Sequence, residues 1–138
     1  MGKINLVLIT LIIFSACTQS DTESNSEPQG IQLEFSAGGC GDDFVPSAGW
    51  KPEEGVKDVV WLDNTTLQVR GSVVLNCVFK SKDIASDYET SVDTITLIYI
   101  TPIFSESVSC VCPHELIYTF YNLPKKDYFF DLVHEEYS

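Results

Sequence analysis

Polar and apolar residues alternate along most of the chain after residue 30, and no stretch there repeats its apolar positions at helical spacing. The clearest run begins at Leu67. Leu67, Val69, Gly71, Val73, Leu75, Cys77 and Phe79 share one parity, while Thr66, Gln68, Arg70, Ser72 and Asn76 fall on the other. This pattern predicts a long half-buried strand, with Gly71 marking a bulge or bend. Asp93 to Ile100 (DTITLIYI) is apolar and β-branched on both parities, as a central strand requires. Further strands are expected at 31–35, 59–62, 107–112, 116–122 and 127–134, with Pro113 separating the third of these from the fourth. Asp63-Asn64 ahead of Thr65 reads as a hairpin turn into the long strand. Six or seven short strands within residues 31–138 predict one all-β domain, an antiparallel β-sandwich.

The first thirty residues follow other rules. Lys3 precedes Ile4 to Phe14 (INLVLITLIIF), an apolar run too short to span a bilayer but suited to the core of an export signal. Phe14-Ser15-Ala16-Cys17 resembles the lipobox of bacterial lipoproteins. The resemblance implies removal of residues 1–16 and lipidation of Cys17, whose acyl chains would hold the protein on a membrane at about 0.8 kcal/mol per buried CH2. Residues 18–30 (TQSDTESNSEPQG) contain nothing that could enter a core and read as a solvated tether. Thr18 follows the cysteine in place of the Asp that resembles inner-membrane retention in some Gram-negative bacteria, and the resemblance therefore implies the outer membrane. Asp21, Glu23 and Glu27 resemble the acidic export tags of some surface lipoproteins. The domain is therefore expected to face the periplasm or the cell surface.

A second resemblance lies near the C-terminus. Leu116 to Leu123 (LIYTFYNL) followed by Pro124 to Leu132 (PKKDYFFDL) resembles the corner between two late strands of immunoglobulin-like and fibronectin type III domains. It implies that Leu123 anchors the corner and that the Tyr128 hydroxyl bonds back across it. Leu67 to Cys77 (LQVRGSVVLNC), with the later Cys-x-Cys and Leu-x-Tyr-x-Phe-x-x-Leu, is also similar to small uncharacterised lipoproteins of Gram-negative bacteria.

Charge narrows the function. Twenty acidic side chains against eight basic ones give a net charge of -12, which excludes a phosphate-backbone binder built on a basic patch, so no nucleic-acid partner is expected. Four cysteines follow Cys17, namely Cys40, Cys77, Cys110 and Cys112, and an exported chain would meet oxidising conditions. On one strand Cys110 and Cys112 share a face about 6.5–7 Å apart, too awkwardly placed for a direct bridge. Cys77 is therefore expected to pair with one of them and Cys40 with the other. The competing reading is a metal site in which Cys110, Cys112 and His114 recur at every second residue.

Catalytic signatures are lacking. There are two histidines, no His-Glu-x-x-His, no Gly-x-Ser-x-Gly and no Cys-x-x-Cys. His134, next to Glu135-Glu136, reads as part of a solvated end. Asp42 and Asp43 could serve calcium but lie in no EF-hand pattern. Phe44 and Trp50 bracket a loop with contact-forming aromatics, and Trp61 follows soon after. The expectation is a lipid-anchored, extracytoplasmic, non-enzymatic binding or accessory module, without a cofactor, for a protein or glycan partner. The alternatives are the metal-binding lipoprotein and an envelope protease inhibitor.

Overall fold

The alternation that begins at Leu67 forms β3 (Leu67–Asn76), whose inward side chains Leu67, Val69, Val73 and Leu75 are buried. The computed structural model describes residues 30–40, 53–105 and 110–138. Around β3 lie β1 (Gln32–Gly38), β2 (Gly55–Trp61), β4 (Ala85–Thr90), β5 (Thr94–Pro102), β6 (Val111–Tyr121) and β7 (Phe129–Tyr137). One turn of 3-10 helix, Ser81–Asp83, leads into β4.

The seven strands make a β-sandwich of two sheets, ordered β1-β6-β3-β2 and β4-β5-β7. Leu67, Val69, Leu116, Tyr118 and Phe120 of the first sheet meet Ile95, Leu97 and Tyr99 of the second to form the core. The Tyr118 hydroxyl donates to the Ile98 carbonyl at 3.1 Å and ties β6 to β5. Gly71 faces Leu132 of β7: a Cβ there would lie 3.4 Å from the leucine methyl, so the glycine lets β7 close onto β3. All pairings are antiparallel except β5–β7, which is parallel. Strands β6 and β7 thus lie in different sheets, as the strands flanking the corner of an immunoglobulin-type sandwich do, but the parallel β5–β7 pairing is foreign to the antiparallel sheets of that type.

Apart from shifts of a few residues at strand ends, three features differ from the expectation. The strand begun at Leu67 stops at Asn76 rather than Phe79. The Asn76 side chain accepts the Val78 amide at 3.1 Å, and its carbonyl accepts the Phe79 amide at 3.0 Å, a turn that ends the ladder. Strand β4 (ASDYET) was not expected, because only Ser86 and Tyr88 of it face the core. Finally, Pro113 does not divide β6. It lies opposite Val74, whose amide turns away from β6 to the Glu54 carboxylate at 3.0 Å. The pair is therefore a non-hydrogen-bonded one, and the missing proline N–H falls on the side where β1, ending at Gly38 opposite Glu115, no longer reaches.

Candidate functional site

An aromatic groove lies at the β2–β7 edge. It has a volume of about 230 Å3 and is lined by Val59, Trp61, Leu67, Lys126, Asp127, Tyr128 and Phe130. A β-bulge creates it. Val56 pairs with Gly71 but Asp58 pairs with Arg70, so Lys57 is an extra residue in β2. That residue reverses the parity of the strand. Val59 and Trp61 consequently stand opposite the core residues Val69 and Leu67 and face inward at an open edge.

The other wall is the corner between β6 and β7. Asn122 takes a left-handed φ of 59°, turning the chain out of β6. Leu123 is buried beneath the corner, and its amide donates to the Thr65 carbonyl at 2.9 Å. The Tyr128 hydroxyl donates to the Pro124 carbonyl at 2.8 Å, holding its ring upright. Tyr128 then lies 6.4 Å from both Trp61 and Phe130, ring centre to ring centre. The Lys125 ammonium sits 5.9 Å from the Trp61 ring centre and that of Lys126 5.0 Å from the Tyr128 ring centre. Lys126 is also held by the Asp93 carboxylate at 3.0 Å and by the Val92 carbonyl. Three fixed rings with two cations at the rim can stack on the face of a flat or cyclic ligand.

The cysteines gather at the opposite end of the sandwich. Cys40 bridges Cys112 and Cys77 bridges Cys110, with Cα separations of 6.0 and 5.5 Å. Each member of the Cys-x-Cys pair thus takes a different partner, as the spacing predicts. Cys112 is fully buried, whereas Cys110 is exposed. The sulfurs that lie within 4.8 Å of one another are those of Cys40, Cys77 and Cys112. All three are in bridges, and a bridged sulfur offers no thiolate to a metal. His114 lies on the same buried face of β6 as Cys112. Its Nε2 is 3.2 Å from the Phe79 carbonyl; its Nδ1 is 3.3 Å from the Cys112 carbonyl and 3.8 Å from the Cys112 sulfur. With a carbonyl beside each ring nitrogen, the ring serves as a polar strut between β6 and the segment after β3. The set Cys110, Cys112 and His114 is not assembled as three open ligands.

Other singled-out residues fall differently. Cys17, Asp42, Asp43, Phe44 and Trp50 lie outside the described residues. His134 is not part of a loose end: it sits in β7, stacks on Tyr99 at 4.7 Å and has Nε2 2.8 Å from the Thr101 hydroxyl. Val59, Lys125, Lys126 and Phe130 were missed as site residues. The only signal for them was the shared parity of Tyr128 and Phe130.

Among the described residues no helix is long and apolar enough to cross a membrane. No family model matches the chain. No match was found among curated proteins or solved structures either.

Proposed function

We propose that the protein is a lipid-anchored, extracytoplasmic binding module, held through Cys17 at the outer membrane, that engages a glycan or protein partner in the groove of Trp61, Tyr128 and Phe130 and catalyses no reaction. The groove carries this reading. Its rings are fixed by the corner hydrogen bond, by the bulge and by packing, so little side-chain freedom is lost when a ligand stacks on them. Its volume of about 230 Å3 is smaller than the ~300–1,000 Å3 of sites for drug-sized molecules and suits a single ring, a sugar face or one side chain. The lipobox and polar tether support the address, and the two bridges agree with an oxidising compartment.

The test uses a Trp50→Phe variant, which leaves Trp61 as the one tryptophan. Oligosaccharide fragments of the bacterial envelope and aromatic-containing peptides are titrated while Trp61 emission is followed. A saturable shift that Tyr128→Ala abolishes is the expected result. No shift with any ligand, or reproducible turnover that maps to named side chains, overturns the reading.

A further inference from the structure

Three loops close one end of the sandwich: residues 62–66 between β2 and β3, 91–93 between β4 and β5, and 122–128 between β6 and β7. They form one connected surface. The Leu123 amide donates to the Thr65 carbonyl at 2.9 Å, the Phe129 amide donates to the Asp93 carbonyl at 2.8 Å, and Lys126 bonds to both Val92 and Asp93. The chain also enters the domain here. Gln32 pairs with Tyr121 at the end of β6, and the Ile31 carbonyl accepts from the Tyr88 hydroxyl at 3.2 Å.

This end carries apolar side chains where turn chemistry asks for none. Val92 is 79% exposed, Phe129 75% and Leu62 55%, and the first two are the most exposed large apolar residues described. Hairpin tips ordinarily take Gly, Asn, Asp or Ser, and neither Val92 nor Leu62 contributes to the core. The exposed Ile103, Phe104 and Val111 lie at the opposite end and flank residues 106–109, which are outside the described residues.

Side-chain type rather than net charge selects the partner, since Asp63, Asp93 and Asp127 outnumber the lysines here. In a chain of net charge -12, two of the eight basic residues, Lys125 and Lys126, stand on this end. Of the acids there, Asp93 is paired with Lys126, Asp63 accepts from the amides of Thr65 and Thr66, and Asp127 lines the groove. Apolar tips, then the amphipathic rings of Trp61 and Tyr128, then lysines: this is the set of side chains used at a membrane–water interface. The thirteen residues between Cys17 and Ile31 reach at most ~43–47 Å. A link of that length holds the domain near its anchor at an effective concentration near the millimolar range, which makes weak docking by three side chains sufficient.

We propose that the loop end, with Leu62, Val92 and Phe129 at its tips, docks on the phospholipid surface that carries the Cys17 anchor and thereby sets the β2–β7 groove beside the headgroups. This rests on the lipid-anchor reading. In consequence the groove opens along the membrane plane, and the bridged end points away from it.

The experiment separates docking from anchoring. Cys17 is the one cysteine outside the two bridges. The mature chain with Trp50→Phe is coupled through it to a maleimide phospholipid in phosphatidylethanolamine–phosphatidylglycerol vesicles. Trp61 emission is compared with and without bromine on the acyl chains. Loss of most of the emission in brominated vesicles is expected, with recovery in the triple variant Leu62→Ser, Val92→Ser, Phe129→Ser. The single variants Val92→Ser and Phe129→Ser, each expected to recover part of the emission, decide the matter if the triple variant does not fold. Emission unchanged by bromine, or equally quenched in the folded variants, overturns the proposal. Flotation of cell-made protein with vesicles is measured separately: failure to float overturns native lipidation, while the coupled form still decides docking.

Discussion

The buried Tyr118 hydroxyl donates to the Ile98 carbonyl at 3.1 Å, a polar link between the two sheets inside an otherwise apolar core. Burial pushes the Tyr118 phenol well above the ordinary tyrosine value, with the neighbouring Tyr99 adding to the effect. The folded state therefore holds the proton that an unfolded tyrosine releases near pH 10. Stability is full below that pH and falls as pH rises above it. Tyr118→Phe should cost about 1–2 kcal/mol at neutral pH through the unsatisfied carbonyl. It should also flatten the alkaline decline. Urea unfolding at pH 7 and at pH 10.5 checks both, and an unchanged alkaline slope would count against the link.

Asp63 acts at the other end of the pH scale. Its carboxylate accepts the amides of Thr65 and Thr66, each at 2.8 Å, and shapes the β2–β3 hairpin. The backbone bond from Thr65 is the leading reason its pKa falls below the ordinary 3.8. A depressed folded-state pKa contributes stability that is present above the unfolded value and is lost as pH falls through the folded one. Asp63→Ala should therefore lower the melting temperature at pH 7. The difference from the parent should shrink as pH is lowered from 4 toward 2, and a constant difference would show that the carboxylate charge is not what matters.

Asn122 is the described non-glycine residue with positive φ, at 59°, and it begins the corner that raises Tyr128 into the groove. Asn122→Gly should change stability by no more than a few tenths of a kcal/mol, since glycine adopts this conformation freely. Asn122→Val should cost about 1–2 kcal/mol, because a β-branched residue is strained there. Denaturant midpoints distinguish the two. If both variants behaved alike, the left-handed turn would not be limiting.

Much of this architecture can be read from the residues themselves. The Leu67 run, the Thr94–Pro102 strand and the Asp63 hairpin all follow from local parity and turn chemistry. The division of Cys110 and Cys112 between two partners follows from strand geometry. What escaped was non-local. Continuity through Pro113 depends on Val74 turning its amide to Glu54, twenty residues earlier. The parallel β5–β7 pairing depends on a change of sheet after Tyr121. The groove depends on the bulge at Lys57, which turns Trp61 inward although simple alternation from Val56 would turn it out.

The two bridges should open in a fixed order. Cys40 and Cys77 are both partly exposed, but Cys110 is exposed whereas Cys112, on the inward face of β6, has no exposed surface. An attacking thiolate needs access to the sulfur. Limiting dithiothreitol followed by alkylation and peptide mapping should therefore label Cys77 and Cys110 before Cys40 and Cys112. The two bridges span 33 and 72 residues, and loop closure assigns each about 3–5 kcal/mol of stability taken alone. Because the shorter loop is nested within the longer, the double variant Cys77→Ala, Cys110→Ala should lose less than that, as Cys40–Cys112 still constrains the unfolded chain. Removing Cys40 and Cys112 instead also empties the space of a buried sulfur beside Leu75 and should cost more. If Cys40 and Cys112 were labelled first, or if the two double variants were equally stable, burial would not be what ranks the bridges.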